Sequence, residues 1–144
     1  MYILDANVLI YAFRRDSPQH GACYAWLSKT LSSGESVAAP SWVELTVLRI
    51  NTLPSLGDLA AAPEEVFAFL YGLRTQPSYQ LVEPGTNHLA ILESLCQSQN
   101  PRGNDLNDAF LAALALERGA TLVSTDQGFG RFPGLRWLNP LGPG

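Results

Sequence analysis

Basic residues are scarce in this chain of 144 residues, and their scarcity excludes one class of protein. Eight arginines and a single lysine, Lys29, stand against thirteen acidic residues, so the net charge is −4. Proteins that hold nucleic acid over a broad basic surface neutralise its phosphates with Lys and Arg. We therefore expect no direct DNA binding by this chain alone. An acidic protein can still act on phosphates if its carboxylates hold divalent cations, because those ions reverse the local charge.

Cysteine, histidine and long apolar runs are also rare. Cys23 and Cys96 are isolated, without CxxC spacing, which predicts reduced, part-buried thiols instead of a zinc site or a disulfide framework. His20 and His88 have no companion at metal-ligand spacing, so we interpret them as surface or packing residues. No apolar run approaches the roughly 20 residues that span a bilayer, and the early charge of Asp5 argues against a signal peptide. We expect a cytoplasmic protein with no membrane association.

The composition and the alternation of patterns predict an α/β fold. Hydrophobic residues make up 47% of the chain and charged residues 15%, which is typical of a compact globular protein. The length suits one domain, and we expect a single domain over residues 1–144. Short apolar segments alternate with longer helical patterns, which predicts a parallel sheet of about five strands with helices on both faces. The strand candidates are MYIL, ESVAAP, YQLV, TLVS and LRWLNP.

Capping residues predict where several helices begin and end. Ser17 is expected to open the second helix, and Ser41 the third. Glu44 lies three residues after Ser41, which predicts a capping box in which the glutamate reaches back to the helix start. Residues 105–118 form another predicted helix, closed by Gly119 in a left-handed conformation. The segment PSLGDLAAAP is predicted to be a loop.

Four acids fall where the predicted fold brings them to one edge of the sheet. Asp5 follows the first strand and Asp126 follows TLVS, while Glu44 and Asp108 lie in first turns of helices. Each alone has an ordinary explanation as a helix cap, a favourable charge at a helix start, or a turn residue. Together they would repel unless a cation compensates them, and ligands of such sheets bind beyond the carboxyl ends of the strands. Their oxygens suit Mg²⁺ or Mn²⁺ and favour metal-dependent hydrolysis of phosphodiesters.

Along nearly the whole chain, these motifs resemble those of the PIN-domain ribonucleases. Asp5 and Asn7 match the Asp-x-Asn pattern at the end of the first strand, and Glu44 matches the second acid, on a helix. The third acid matches Asp108, followed by the paired alanines of DAFLAALAL. Asp126, within STDQGF, matches the fourth acid in a Thr/Ser-x-Asp motif before a phenylalanine. Among the family, the chain looks most like the VapC-type toxins of bacterial toxin–antitoxin pairs.

The resemblance carries expectations about fold, activity and partners. It implies a PIN-like three-layer sandwich and an endoribonuclease that depends on Mg²⁺ or Mn²⁺. It also implies homodimerisation and a cognate antitoxin whose tail enters the active-site groove. We expect Asp5, Asp108 and Asp126 to be metal ligands, directly or through water. Glu44 would be a further ligand or would orient the attacking water.

Several neighbouring residues are candidates for supporting roles. Asn7 and Ser124 are expected to hydrogen-bond the carboxylates. Asp105 is an additional acid, either the cap of its helix, which we favour, or an outer ligand. Arg14, Arg15, Arg102 and Arg131 lie near the acid motifs in sequence and are candidates for RNA phosphate contacts, or are ordinary surface charges. The aromatic residues expected in the core or at an interface are Trp26, Trp42, Phe67, Phe69 and Tyr71.

Other functions remain open at the level of the sequence. A non-toxin PIN nuclease in RNA processing would carry the same acids. A catalytically silent binding module would keep the fold, although clustered carboxylates are costly without a metal. A phosphatase with an aspartyl nucleophile usually has a second aspartate where this chain has Asn7. A phospho-acceptor domain needs a distal lysine, whereas Lys29 lies in an early helix.

Overall fold

The computed structural model describes residues 1–142, and the predicted strands and helices are present in that part of the chain. The strands are β1 Tyr2–Leu4, β2 Val37–Ala39, β3 Tyr79–Leu81, β4 Thr121–Val123 and β5 Arg136–Leu138. The helices are α1 Ala6–Phe13, α2 His20–Ser32, α3 Ser41–Asn51, α4 Pro63–Arg74, α5 His88–Gln99 and α6 Asp105–Arg118. Short 3-10 segments cover Pro54–Leu59 and Gln127–Arg131.

The five strands form one sheet in the order β3-β2-β1-β4-β5, and every neighbouring pair is parallel. Ile3 in β1 lies opposite Ala38 of β2 on one side and Leu122 of β4 on the other. The chain therefore runs outward from β1 to β3 and then returns to β4 on the opposite side of β1. This reversal leaves a crevice beyond the carboxyl ends of β1 and β4, the place where open α/β sheets bind ligands.

The core lies between the central strands and the helices. The large apolar side chains of β1, β2 and β4 are fully buried, whereas the edge strands β3 and β5 are more exposed. The buried face of α6 carries Ala109, Ala112 and Ala113, each fully inaccessible to solvent. These small side chains let the backbone of α6 approach its neighbours closely, so the start of α6 is held firmly near the crevice.

Three predicted helix caps differ from the structure. Helix α2 begins at His20, because Ser17 instead forms a turn in which its hydroxyl accepts the N–H of Gln19 at 3.2 Å. Helix α3 begins at Ser41 itself, and the predicted capping box is wrong because the Glu44 side chain bonds elsewhere. Helix α6 begins at Asp105, which is its first helical residue and not its cap.

Other local predictions are confirmed. Gly119 ends α6 with φ 62°, in the left-handed region that favours glycine. His88 is buried, with Nε2 3.0 Å from the carbonyl oxygen of Phe110, so it packs as expected. Cys23 is a buried free thiol and Cys96 a half-buried one.

Within residues 1–142, none of the helices has both the length and the apolar character needed to span a membrane.

Candidate active site

Asp5 lies directly after the carboxyl end of β1, and residues after β1 and after β4 hydrogen-bond its side chain. Its backbone N–H donates to the carbonyl of Val123 at 2.9 Å, which extends the pairing of β1 with β4. Oδ1 accepts the N–H of Ala6 at 2.7 Å, so Asp5 does cap α1. Oδ2 accepts the hydroxyl of Ser124 at 2.8 Å. The capping role and the position at the sheet edge are therefore compatible.

Ser124 and Asn7 link the ends of β1 and β4. The Ser124 hydroxyl donates to Asp5 and accepts Nδ2–H of Asn7 at 3.1 Å and the N–H of Asp126 at 3.0 Å. Asn7 also donates to Oδ2 of Asp5 at 3.3 Å and accepts the N–H of Thr125 at 3.2 Å. The predicted hydrogen bonds from Asn7 and Ser124 to a site carboxylate are thus present. They hold the acid of one strand in register with the loop after the other.

Asp126 and Asp108 approach the same crevice from β4 and α6. Asp126 is exposed and caps the 3-10 segment through the N–H of Gly128, which donates to Oδ1 at 2.8 Å. Asp108 lies in the first turn of α6, and its side chain is 23% exposed. Arg131 forms an ion pair with it, with Nη2 3.5 Å from Oδ2. Two aspartates and one arginine therefore reach the site from elements other than β1.

The electrostatics show that the three aspartates act on one another. Burial raises the pKa of Asp5 to about 6, the hydrogen bonds from Ser124 and Ala6 oppose that rise, and the charges of Asp108 and Asp126 add to it. Burial and the charge of Asp126 also raise the pKa of Asp108, against the lowering effect of Arg131. The pKa values of Asp5 and Asp108 thus stay raised despite these hydrogen bonds and the single arginine. Added positive charge would stabilise the ionised site.

Glu44 belongs to a different cluster. Its carboxylate accepts two hydrogen bonds from the guanidinium of Arg74, one of them from Nε at 3.1 Å, and one from the hydroxyl of Tyr79 at 2.9 Å. The Glu44 side chain is only 8% exposed. Within residues 1–142, its hydrogen bonds therefore connect α3 with α4 and β3. The predicted role of Glu44, as a further metal ligand or as the residue that orients the attacking water, stays a prediction.

The remaining predicted residues have separate locations. Asp105 is exposed at the start of α6, and its charge contributes to the raised pKa of Asp108. Arg14 is held by Asn51, Asp16 and the carbonyl of Leu59, away from the hydrogen bonds of the site. Arg15 and Arg102 are exposed surface residues. Of the four arginines predicted as candidates, Arg131 is the one with an ion pair to a site aspartate.

The donor set suits a hard divalent cation. Three aspartates supply the oxygen ligands that Mg²⁺ and Mn²⁺ prefer. In the described part of the chain, no three His, Cys, Asp or Glu side chains form a ready-made group that could hold a metal ion.

Comparison with known proteins identifies the family. The sequence profile described as PIN domain matches residues 2–135. The chain belongs to the PIN domain family. Ribonuclease VapC37 of Mycobacterium tuberculosis is 38% identical over 141 residues, which cover 97% of this chain and 97% of the relative. Ribonuclease VapC31 of the same species is 34% identical over 140 residues, covering 97% of this chain and 99% of the relative. The resemblance inferred from the acid motifs is confirmed.

Solved structures of PIN domain proteins share the fold. A chain of the VapBC2 complex from Rickettsia felis, bound to a DNA fragment from its promoter, superposes with a TM-score of 0.70 at 21% identity, covering 96% of this chain and 97% of that one. A chain of DNA-bound VapBC from Salmonella typhimurium gives a TM-score of 0.68 at 18% identity, with the same coverage. At these identities the likeness shows the fold, and it confirms the predicted PIN-like α/β sandwich.

Proposed function

We propose that this chain is a divalent-metal-dependent endoribonuclease that acts as the toxin of a toxin–antitoxin pair. The observation that carries the proposal is the meeting of Asp5, Asp108 and Asp126 at the crevice between β1 and β4, where their charges act on one another. The ribonuclease relatives, which match over nearly their full lengths, support the same activity. The proposed reaction is hydrolysis of phosphodiester bonds in RNA.

Asp5, Asp108 and Asp126 are the residues that would hold Mg²⁺ or Mn²⁺. Such a cation would supply Lewis acidity and screen the negative charge of the phosphate. Asp5 must be ionised to bind it, and the hydrogen bonds from Ser124 and Ala6 favour that form. Ser124 and Asn7 both donate to Oδ2 of Asp5, and these two hydrogen bonds orient its carboxylate.

Glu44 serves the fold in this proposal. Arg74 and Tyr79 already occupy its carboxylate, so ligation of a metal would first require breaking these bonds. A buried carboxylate that keeps two hydrogen-bonding partners is stable without a cation. We therefore assign Glu44 to joining α3, α4 and β3, and not to the reaction.

The partners follow from the same proposal. We propose a cognate antitoxin and a second copy of this chain as protein partners, and a cytoplasmic site of action, where the RNA substrate is found. The antitoxin is supported by the related solved chains being parts of VapBC complexes. Exposed apolar side chains on α3 and α4 suit a protein contact, among them Leu45, Phe67 and Tyr71. Trp26, Trp42 and Phe69 instead pack half-buried against the core.

Induced expression in a bacterial host tests the proposed function. Wild type and Asp108→Asn are expressed to equal soluble levels, and growth is followed together with the 5′ ends of total cellular RNA. We expect growth arrest and new, discrete RNA ends with wild type alone. RNA ends without growth arrest would favour a nuclease of RNA processing. Soluble wild type that changes neither growth nor RNA ends would contradict the proposal and favour a silent binding module.

A further inference from the structure

Arg131 contacts two segments that carry site aspartates: α6, through Asp108, and the turn that Asp126 caps. Its Nη1 donates to the carbonyl of Gly128 at 2.6 Å, inside the turn that Asp126 caps. Its Nη2 lies 3.5 Å from Oδ2 of Asp108. The guanidinium carbon also lies 4.4 Å from the ring centroid of Phe132, a buried residue. An arginine with three such restraints keeps one orientation at the site instead of sampling solvent.

Gly128 leaves the space that this arginine fills. A Cβ placed on Gly128 would lie 2.5 Å from Nη1 of Arg131 and 3.1 Å from Oδ1 of Asp126. Any side chain at this position would therefore displace the guanidinium, which is the end of a flexible side chain, before it disturbed the backbone. Gly128, which has no side chain, therefore leaves space for the guanidinium of Arg131.

The position of Arg131 also resolves a charge problem. A phosphate that enters the crevice meets three carboxylates in a protein of net charge −4. Within residues 1–142, Arg131 is the arginine that forms an ion pair with a site aspartate, which is Asp108. The Arg131 side chain is 33% exposed, so part of its planar donor set is accessible to a ligand. Arginine presents several donors in a fixed plane, which suits phosphate oxygens.

We infer that Arg131 binds the scissile phosphate of the RNA and that Gly128 positions Arg131 for this contact. The inference rests on the proposed ribonuclease function and names the protein group that contacts its substrate. Arg131 keeps its bond to Gly128 and its stacking on Phe132 while its free donors turn from Asp108 to a non-bridging phosphate oxygen. Asp108 would then be free to be one of the residues that hold the cation.

Cleavage kinetics of four variants test the inference. The RNA site is first mapped with wild type in total bacterial RNA, and a transcript that carries it serves as substrate with Mn²⁺. Arg131→Ala should lower kcat/KM by about 100-fold, as expected for loss of a charged group at the reacting phosphate. Arg131→Lys should recover part of the loss, and Gly128→Ala should fall between wild type and Arg131→Ala. Arg49→Ala removes an exposed arginine at the far end of α3 and should match wild type.

A second readout separates phosphate binding from support of Asp108. Binding of the same transcript is measured at several salt concentrations with Ca²⁺ in place of Mn²⁺. Log affinity falls as log salt rises, and loss of one phosphate contact should make this slope less steep by about 0.7 for single-stranded RNA. Arg131→Ala should show this decrease, and Arg131→Lys should not.

The outcomes distinguish this inference from the proposed function. Wild type that cleaves no RNA overturns both. Wild type that cleaves, with Arg131→Ala equal to it, overturns the role of Arg131 alone. A slow Arg131→Ala variant with an unchanged salt slope and weakened Mn²⁺ binding shows that Arg131 only positions Asp108, and it also overturns the phosphate contact.

Discussion

Two carboxylate clusters in this protein differ in how their charge is compensated. In the first, Glu44 is nearly buried and is bound by a guanidinium and a phenol hydroxyl. In the second, three aspartates share the crevice with the single arginine Arg131, and the pKa values of Asp5 and Asp108 are raised. The first cluster is electrostatically satisfied within the chain, whereas the second has excess negative charge.

The difference supports our proposal that Glu44 stabilises the fold and that the aspartates hold a cation. Glu44 resembles Asp108 in sequence, because both lie in the first turn of a helix. Its partners, Arg74 and Tyr79, come from segments 30 and 35 residues away. Long-range charge compensation therefore distinguishes Glu44 from the aspartates, and a local motif does not reveal it.

The largest contrast is expected in RNA cleavage by purified protein. Asp126→Asn removes a charge from the uncompensated cluster, and we expect a loss of about 10³-fold in cleavage rate, because a bound cation contributes several kcal/mol to the transition state. Glu44→Gln should cleave at a rate within about threefold of wild type, since in our proposal Glu44 takes no part in the reaction. Mapped cleavage of total RNA with Mn²⁺ measures both. Equal losses in the two variants would remove the distinction.

For the free energy of unfolding, we expect the larger effect from Glu44→Gln and the smaller one from Asp126→Asn. Glu44→Gln breaks the ion pair with Arg74, which is about half exposed, so we expect a decrease of about 1–2 kcal/mol in the free energy of unfolding. Asp126→Asn keeps a capping side chain and relieves repulsion, so stability should be unchanged or higher. Urea unfolding in EDTA measures the two values. A less stable Asp126→Asn with a fully stable Glu44→Gln would contradict the assignment.

A smaller effect is expected in the pH dependence of the metal-free protein. The pKa of Asp5 is about 6 in the folded chain against an ordinary value of 3.8, so the folded state binds this proton more tightly. The stability contributed by protonated Asp5 is therefore present below its ordinary pKa and is lost as pH rises through about 6. Asp5→Asn should lack this loss. Unfolding of both proteins in EDTA across that pH range measures the difference, and parallel curves would contradict the prediction.

Most of the fold could be predicted because its signals are local. The alternation of short apolar runs with helical patterns predicted all five strands, and Gly119 predicted the end of α6. The caps of α2, α3 and α6 were predicted less accurately, since turn formation by Ser17 and distant bonds to Glu44 compete with local capping. Parallel pairing also explains why Asp5, Ser124 and Asp126 could be placed at one edge from sequence alone.

The candidate site was predictable only in part. Asn7 and Ser124 were found as partners of Asp5 because they share its motifs at the ends of adjacent strands. The space at Gly128 was not anticipated, because it depends on where the Arg131 side chain folds back. Arg102 and Arg131 both lie near the acids in sequence, and tertiary structure is needed to tell them apart.

Titration of Mn²⁺ into the purified protein tests the distinction between the two clusters most directly. Isothermal calorimetry at about pH 7.5, where Asp5 is ionised, compares wild type with Glu44→Gln and Asp126→Asn. We predict that Mn²⁺ binds wild type and Glu44→Gln with equal affinity and binds Asp126→Asn at least about tenfold more weakly. Equal binding to wild type and Asp126→Asn, or a loss confined to Glu44→Gln, would show that the aspartates do not form the metal centre.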